Sequence, residues 1–169
     1  MKKLFALVLA LCLLGSCAFA DGQLVWEGEI AEAAAAYEGE FHTLNEVSAK
    51  IWIPAEFEEA ELDEEQKEDG TIAAFVTEDD AAIVVQYVDM EGMTLEQYQA
   101  ELEGSDDVTE LEAGTVNGIP CLSYEYNGNG VLAFTTEMGY ILEVAFGPLS
   151  NEEYKTKASF ALASIQSAD

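Results

Sequence analysis

Two glutamates sit where a sheet seldom keeps a charge: Glu125 in the apolar run 119–126 and Glu143 in the apolar run 140–146. A pair of carboxyl groups about 5 to 10 Å apart can cleave a glycosidic bond, one as general acid and the other as nucleophile or base. Burial would raise the pKa of one of them, as a general acid working near neutrality requires. If turns at 127–130 and 138–139 close the surrounding hairpins, positions 123, 134 and 143 form one row and 125, 132 and 145 the next. Glu125 and Glu143 would then share a face with Ser123 and make the candidate catalytic pair of an acid-dependent hydrolase. The plainer expectation is a partly solvated face, on which strand glutamates are ordinary.

A second candidate is the segment 56–69, in which nine of fourteen residues are acidic. Asp63, Glu64, Glu65, Glu68 and Asp69 offer the oxygen ligands that calcium takes. Their spacing departs from an EF-hand, because Lys67 falls at a ligand position and Glu68 at the turn glycine. Any site here would be irregular and weak, and a solvated acidic loop or short frayed helix accounts for the run equally well.

Other chemistries lack their parts. His42 is the only histidine, so a site with two or more imidazoles is excluded,. A Cys–His pair would need Cys121 to meet His42 in space. There is no Gly-x-Ser-x-Gly elbow and no cofactor-binding motif,. Cys121 is the only cysteine beyond residue 20, cannot form an internal disulfide, and reads as a small buried hydrophobe in a strand,. Trp26, Trp52, Tyr124, Tyr126 and Tyr140 could line a sugar- or peptide-binding surface, although most belong in a core. Trp26, lying before the expected domain, is the one to watch for a partner contact.

The elements that must position these residues are legible in outline. Residues 24–40 form a weakly patterned lead-in, expected to be poorly fixed. A hairpin follows around Asn45-Glu46, its second strand 49–53 closed by Pro54. The runs 71–77 and 81–88 make another hairpin, apolar on both faces, which places its sheet between two layers. Thr94 and Gln97 form a capping box that opens a helix over 94–104, with Met93 stapled on Tyr98 and Leu95, Tyr98 and Leu102 buried. Four strands follow at 108–116, 119–126, 131–136 and 140–146, joined by Asn and Gly turns. Ser150 with Glu153 reads as a second capping box, opening a terminal helix over 150–167 whose stripe is Tyr154, Ala158, Ala161, Leu162 and Ile165.

The first twenty residues read as an export signal: Lys2 and Lys3, the apolar run 4–14, and a cleavage site at Ala18-Phe19-Ala20,. The same stretch holds a lipobox, Leu14-Gly15-Ser16-Cys17, so that lipidation at Cys17 is the alternative to release after Ala20. A lipidated Cys17 would hold the domain at a membrane surface by two acyl chains. Beyond residue 20 stand 34 acidic residues against four lysines, with no arginine. Such a surface repels phosphate backbones and anionic headgroups, which excludes nucleic-acid binding. It also lacks the bidentate clamp used for carboxylate or phosphate substrates.

The strand ending at Ile53-Pro54, the acidic loop, the apolar hairpin, Gly92-Met93-Thr94-Leu95-Glu96-Gln97-Tyr98, Val116-Asn117-Gly118-Ile119 and the final Ala163-Ser164-Ile165 together resemble small exported proteins of anaerobic Firmicutes with a fold similar to the Mog1/PsbP group. The resemblance covers residues 41 to 166. It implies an α+β domain, an antiparallel β-sheet flanked by helices as an α/β/α sandwich, with residues 1–20 as signal, 21–40 as lead-in and 41–169 as one domain. It further implies a non-enzymatic accessory or binding module without a cofactor, its partner a protein or a cell-envelope component. In that group Mog1 binds a small GTPase and PsbP assists the oxygen-evolving complex, but no binding residue of either maps onto this sequence.

Overall fold

Runs of β-branched and aromatic residues, broken by Asn-Gly and Gly turns, form eleven strands in the computed structural model, which describes residues 23–89 and 91–168. The processing positions Cys17, Ala18 and Ala20 lie outside the described residues. In chain order the elements are β1 (Gln23–Leu24), α1 (Glu29–Ala34), β2 (Gly39–Leu44), β3 (Ala49–Pro54), β4 (Glu58–Glu59), α2 (Glu64–Glu68), β5 (Thr71–Val76) and β6 (Ala82–Asp89). They continue with α3 (Leu95–Leu102), β7 (Val108–Val116), β8 (Ile119–Tyr126), β9 (Asn129–Thr135), β10 (Ile141–Gly147), α4 (Glu152–Ala163) and β11 (Gln166–Ser167).

The strands divide into a large sheet, ordered β1-β7-β8-β9-β10-β6-β5-β4, and a small one, β11-β3-β2. Every pairing is antiparallel except that of β1 with β7. The main core lies between the sheets: Ile51 and Ile53 of the small sheet meet Phe75, Ile83, Val85, Leu142 and Val144 of the large one, and α4 closes the side with Ala158, Ala161 and Leu162. On the opposite face of the large sheet α3 lays Tyr98 over Leu122, Tyr124, Val131, Ala133 and Ile141. The architecture is the expected antiparallel α+β one, but the hairpin 39–54 builds a sheet of its own instead of joining the large one.

Turn chemistry sets the registers. Asn117 and Gly118 both have positive φ and join β7 to β8 as a two-residue hairpin, with Val116 opposite Ile119,. Asn127 and Gly128 do the same for β8 and β9, so Tyr126 pairs with Asn129 and β9 begins two residues earlier than expected. Between β9 and β10 the loop has three residues, Glu137, Met138 and Gly139, closed by the bond from Thr136 N–H to Tyr140 O. A two-residue turn was expected there, and the extra residue shifts the register by one: Phe134 faces Leu142, and Glu143 faces Ala133.

The helices show what local sequence can carry and what it cannot. At α3 the Thr94–Gln97 capping box is present as predicted, and the helix runs over Leu95–Leu102. At α4 the cap is Asn151 instead of Ser150; its Oδ1 accepts from Glu153 N–H at 3.0 Å and Tyr154 N–H at 3.4 Å. The helix stops at Ala163, short of the expected 167, where Ser164 Oγ accepts from Trp52 N–H and the chain turns into β11 against β3. Residues 156–163 are buried all round α4. The cause is the lead-in, which is packed and not loose: α1 sets Ala33 and Ala34 against Trp52 and Phe160, with Trp26, Ile30 and Tyr37 around them. Trp26 belongs to this layer, its backbone N–H donating to Asn117 Oδ1 at 2.6 Å and its ring 6.1 Å from that of Trp52.

Candidate functional site

Glu143 is the most buried carboxylate among the described residues, 7 % exposed in the middle of β10. The register that places it opposite Ala133 turns it to the α3 side of the sheet, where three donors converge on it. Tyr98 OH, brought in by the capped helix, donates to Oε1 at 2.5 Å. Tyr124 OH, from β8, donates to the same oxygen, and Gln86, directly across on β6, donates from Nε2 to Oε2 at 3.3 Å. The two phenol oxygens lie 3.3 Å apart.

Both phenols are held well above their ordinary pKa of 10.0, first by burial and then by the Glu143 carboxylate. They remain donors and cannot act as bases near neutrality. Glu143 makes no ion pair among the described residues. The site is therefore a carboxylate solvated by the protein's own hydroxyls and amide, an arrangement that pins α3 to the sheet.

Glu125 is on the other face. It follows Tyr124 along β8, pairs with Gly130, and borders a crevice beside Leu149, Lys155 and Leu162 at α4. That crevice has about 10 Å³, the room of roughly one water. Ser123 shares its face, and the sheet separates both from Glu143. The expected carboxylate pair is thus corrected by one residue of register, since a single-residue slip exchanges the two faces of a strand.

The acidic segment is likewise spoken for locally. Asp63 caps α2 in a capping box with Gln66, and Glu64 pairs with Lys67 at 3.3 Å. Among the described residues no group of three or more His, Cys, Asp or Glu side chains converges as a metal site. Glu64, Glu65, Glu68 and Asp69 therefore stand apart from one another as ligands, and the calcium expectation at Asp63–Asp69 has no geometry behind it. Cys121 is buried in β8, its thiol pushed up to about 12 by burial. His42 is on β2, its ring 4.9 Å from Phe75 and its Nε2 3.6 Å from Glu40, with Cys121 far along another sheet.

One surface has the features of a docking site. The open flanks of β2 and β4, the edge strands of the two sheets, frame a groove of about 470 Å³. His42, Ile53, Pro54 and Phe57 line it, and Glu40, Glu58 and Glu59 stand on its rim. None of these residues is marked by a sequence motif; the groove exists because β2 and β4, separated in the chain only by β3, end as edges of two different sheets beside each other. Gly39 at its end is required by packing, since a Cβ there would lie 2.4 Å from the Trp52 ring.

No family model matches the sequence, and no curated protein matches it either. Among solved structures the fold is similar to cyanobacterial PsbP (CyanoP) from Synechocystis sp. PCC 6803, at 10% identity and a TM-score of 0.51, covering 78% of this chain and 93% of that one. It also aligns with the Saccharomyces cerevisiae Ran-binding protein Mog1p, at 14% identity and a TM-score of 0.38, covering 79% of this chain and 97% of that one. At such identities the likeness concerns architecture alone. The described chain has the Mog1/PsbP-like fold, an α+β arrangement of antiparallel sheets and helices.

Proposed function

We propose that this chain is an exported, non-enzymatic accessory or binding module that engages a protein or cell-envelope partner, either released after Ala20 or anchored through a lipidated Cys17. The observation that carries this reading is the separation of Glu125 from Glu143 by the sheet, with the oxygens of Glu143 occupied by Tyr98, Tyr124 and Gln86. A hydrolase needs its acid and its nucleophile or base on one side of one cleft. The open groove between β2 and β4, by contrast, offers backbone and charge to a partner.

The test compares wild type with E143Q and E125Q on a panel of glycans and peptides under mildly acidic conditions, beside cross-linking in the native host. The reading expects no turnover by any of the three and a discrete cross-linked species for all. Turnover by wild type that is lost in either variant, with no cross-linked species, would overturn it.

A further inference from the structure

We propose that the groove between β2 and β4 takes an extended segment of a partner protein in which lysine or arginine alternates with an apolar residue, added as a strand to the outer edge of β2. This deepens the binding-module reading and rests on it. The register of β2 against β3 determines which backbone groups are offered. Ala55 N–H donates to Glu38 O, so the alternation of antiparallel pairs turns Glu40, His42 and Leu44 toward β3,. Gly39, Phe41 and Thr43 then point their N–H and C=O groups outward, and Trp52 N–H, opposite Phe41, correspondingly bonds Ser164 Oγ instead of β2. Among the described residues no strand lies on that outer side. An open edge of this kind pairs readily with an incoming extended chain.

The side chains on the two faces of the edge select the occupant. On the inner face Glu40 and His42 border the groove, with Glu58 and Glu59 on the facing edge strand, and the groove has no lysine in its lining. Glu59 lies opposite Phe75 at the end of the large sheet, where β4 has no further neighbour among the described residues. On the outer face Phe41 is 43% exposed, with the Trp26 ring 6.0 Å away edge-on. A strand added here has side chains that alternate between these faces at a period of two. An inward residue beside Glu40, Glu58 and Glu59 meets carboxylates, and an outward one beside Phe41 meets that ring and Trp26, with the Lys50 ammonium 5.8 Å from the Phe41 ring. A cation opposite an apolar residue satisfies both, whereas a second copy of a chain with net charge −28 would bring like charge to the rim,.

The experiment uses the full protein purified after export and three seven-residue peptides: one alternating valine and lysine, one alternating valine and glutamate, and the first with its alternate amides N-methylated. Backbone amide NMR is the readout. The valine–lysine peptide is expected to shift Phe41, Thr43 and Glu59 and to slow exchange of the Phe41 and Thr43 amides, while the other two do neither. Replacing Glu40, Glu58 and Glu59 together by Gln is expected to weaken that peptide about tenfold, from three exposed charge contacts of modest strength each. Thr43→Pro removes an outward donor without touching the β2–β3 ladder and is expected to abolish amide protection.

Equal binding of the glutamate peptide, or shifts confined to another surface, would overturn the proposal. Protection of Phe41 and Thr43 that grows with protein concentration in the absence of peptide would replace the basic occupant by a second copy. A partner cross-linked equally to wild type and Thr43→Pro would remove the groove from the account while leaving the binding-module reading in place.

Discussion

Glu143 shows how a residue that looks catalytic in sequence can be structural in the fold. Its carboxylate receives Tyr98, Tyr124 and Gln86 and thereby joins α3, β8, β10 and β6. Removing one donor leaves a buried charge less well solvated, so Tyr124→Phe is expected to lower stability by about 1–3 kcal/mol. The two phenols and Cys121 have folded-state pKa values above their ordinary 10.0 and 9.0. The stability they contribute is therefore complete below those ordinary values and is lost as pH rises, because the unfolded chain releases protons that the folded chain retains. Urea unfolding should show a free energy level from neutrality to about pH 9 and falling beyond it, with a shallower fall in Tyr124→Phe. An alkaline limb unchanged by that substitution would separate Tyr124 from the Glu143 cluster. The presence of Glu143 in an apolar strand was legible in the sequence; its partners were not. Tyr98 and Gln86 lie far from it along the chain, and only the pairing of β6 with β10 and the docking of α3 bring them together.

At the scale of elements, structure is legible in the sequence wherever the chemistry is complete in a few residues. The Thr94–Gln97 capping box and the Asn117-Gly118 hairpin are where turn and cap residues place them, and the four meander strands are present, β9 beginning two residues early. Where local sequence is degenerate, the fold decides. Met138-Gly139 could close a two- or a three-residue loop, and the choice of three reversed the face on which Glu143 lies,. Ser150 and Asn151 are both good caps, and the structure uses Asn151,. Asn151→Ala is accordingly expected to cost about 1 kcal/mol and Ser150→Ala close to nothing, by thermal or urea melts. The opposite order would restore the cap to Ser150. The packing of the lead-in is not legible in the sequence because Ala33 and Ala34 carry little pattern of their own; they are buried because Trp52 and Phe160 present an aromatic surface for them to cover.

At the scale of the whole molecule, the separation of two sheets is what creates the groove between β2 and β4. Neither the 39–54 hairpin nor the acidic segment announces a groove, yet their edges meet around His42 and Phe57 under a rim of glutamates. The net charge of −28 with no arginine is the ground on which the proposal prefers a partner with exposed cations. The most direct test of the binding-module account is the native mass of the protein gently recovered from its host. The account expects a discrete complex heavier than a single processed chain, dissociating at raised salt. A single-chain mass at every salt concentration, from a preparation that turns over a substrate, would contradict it.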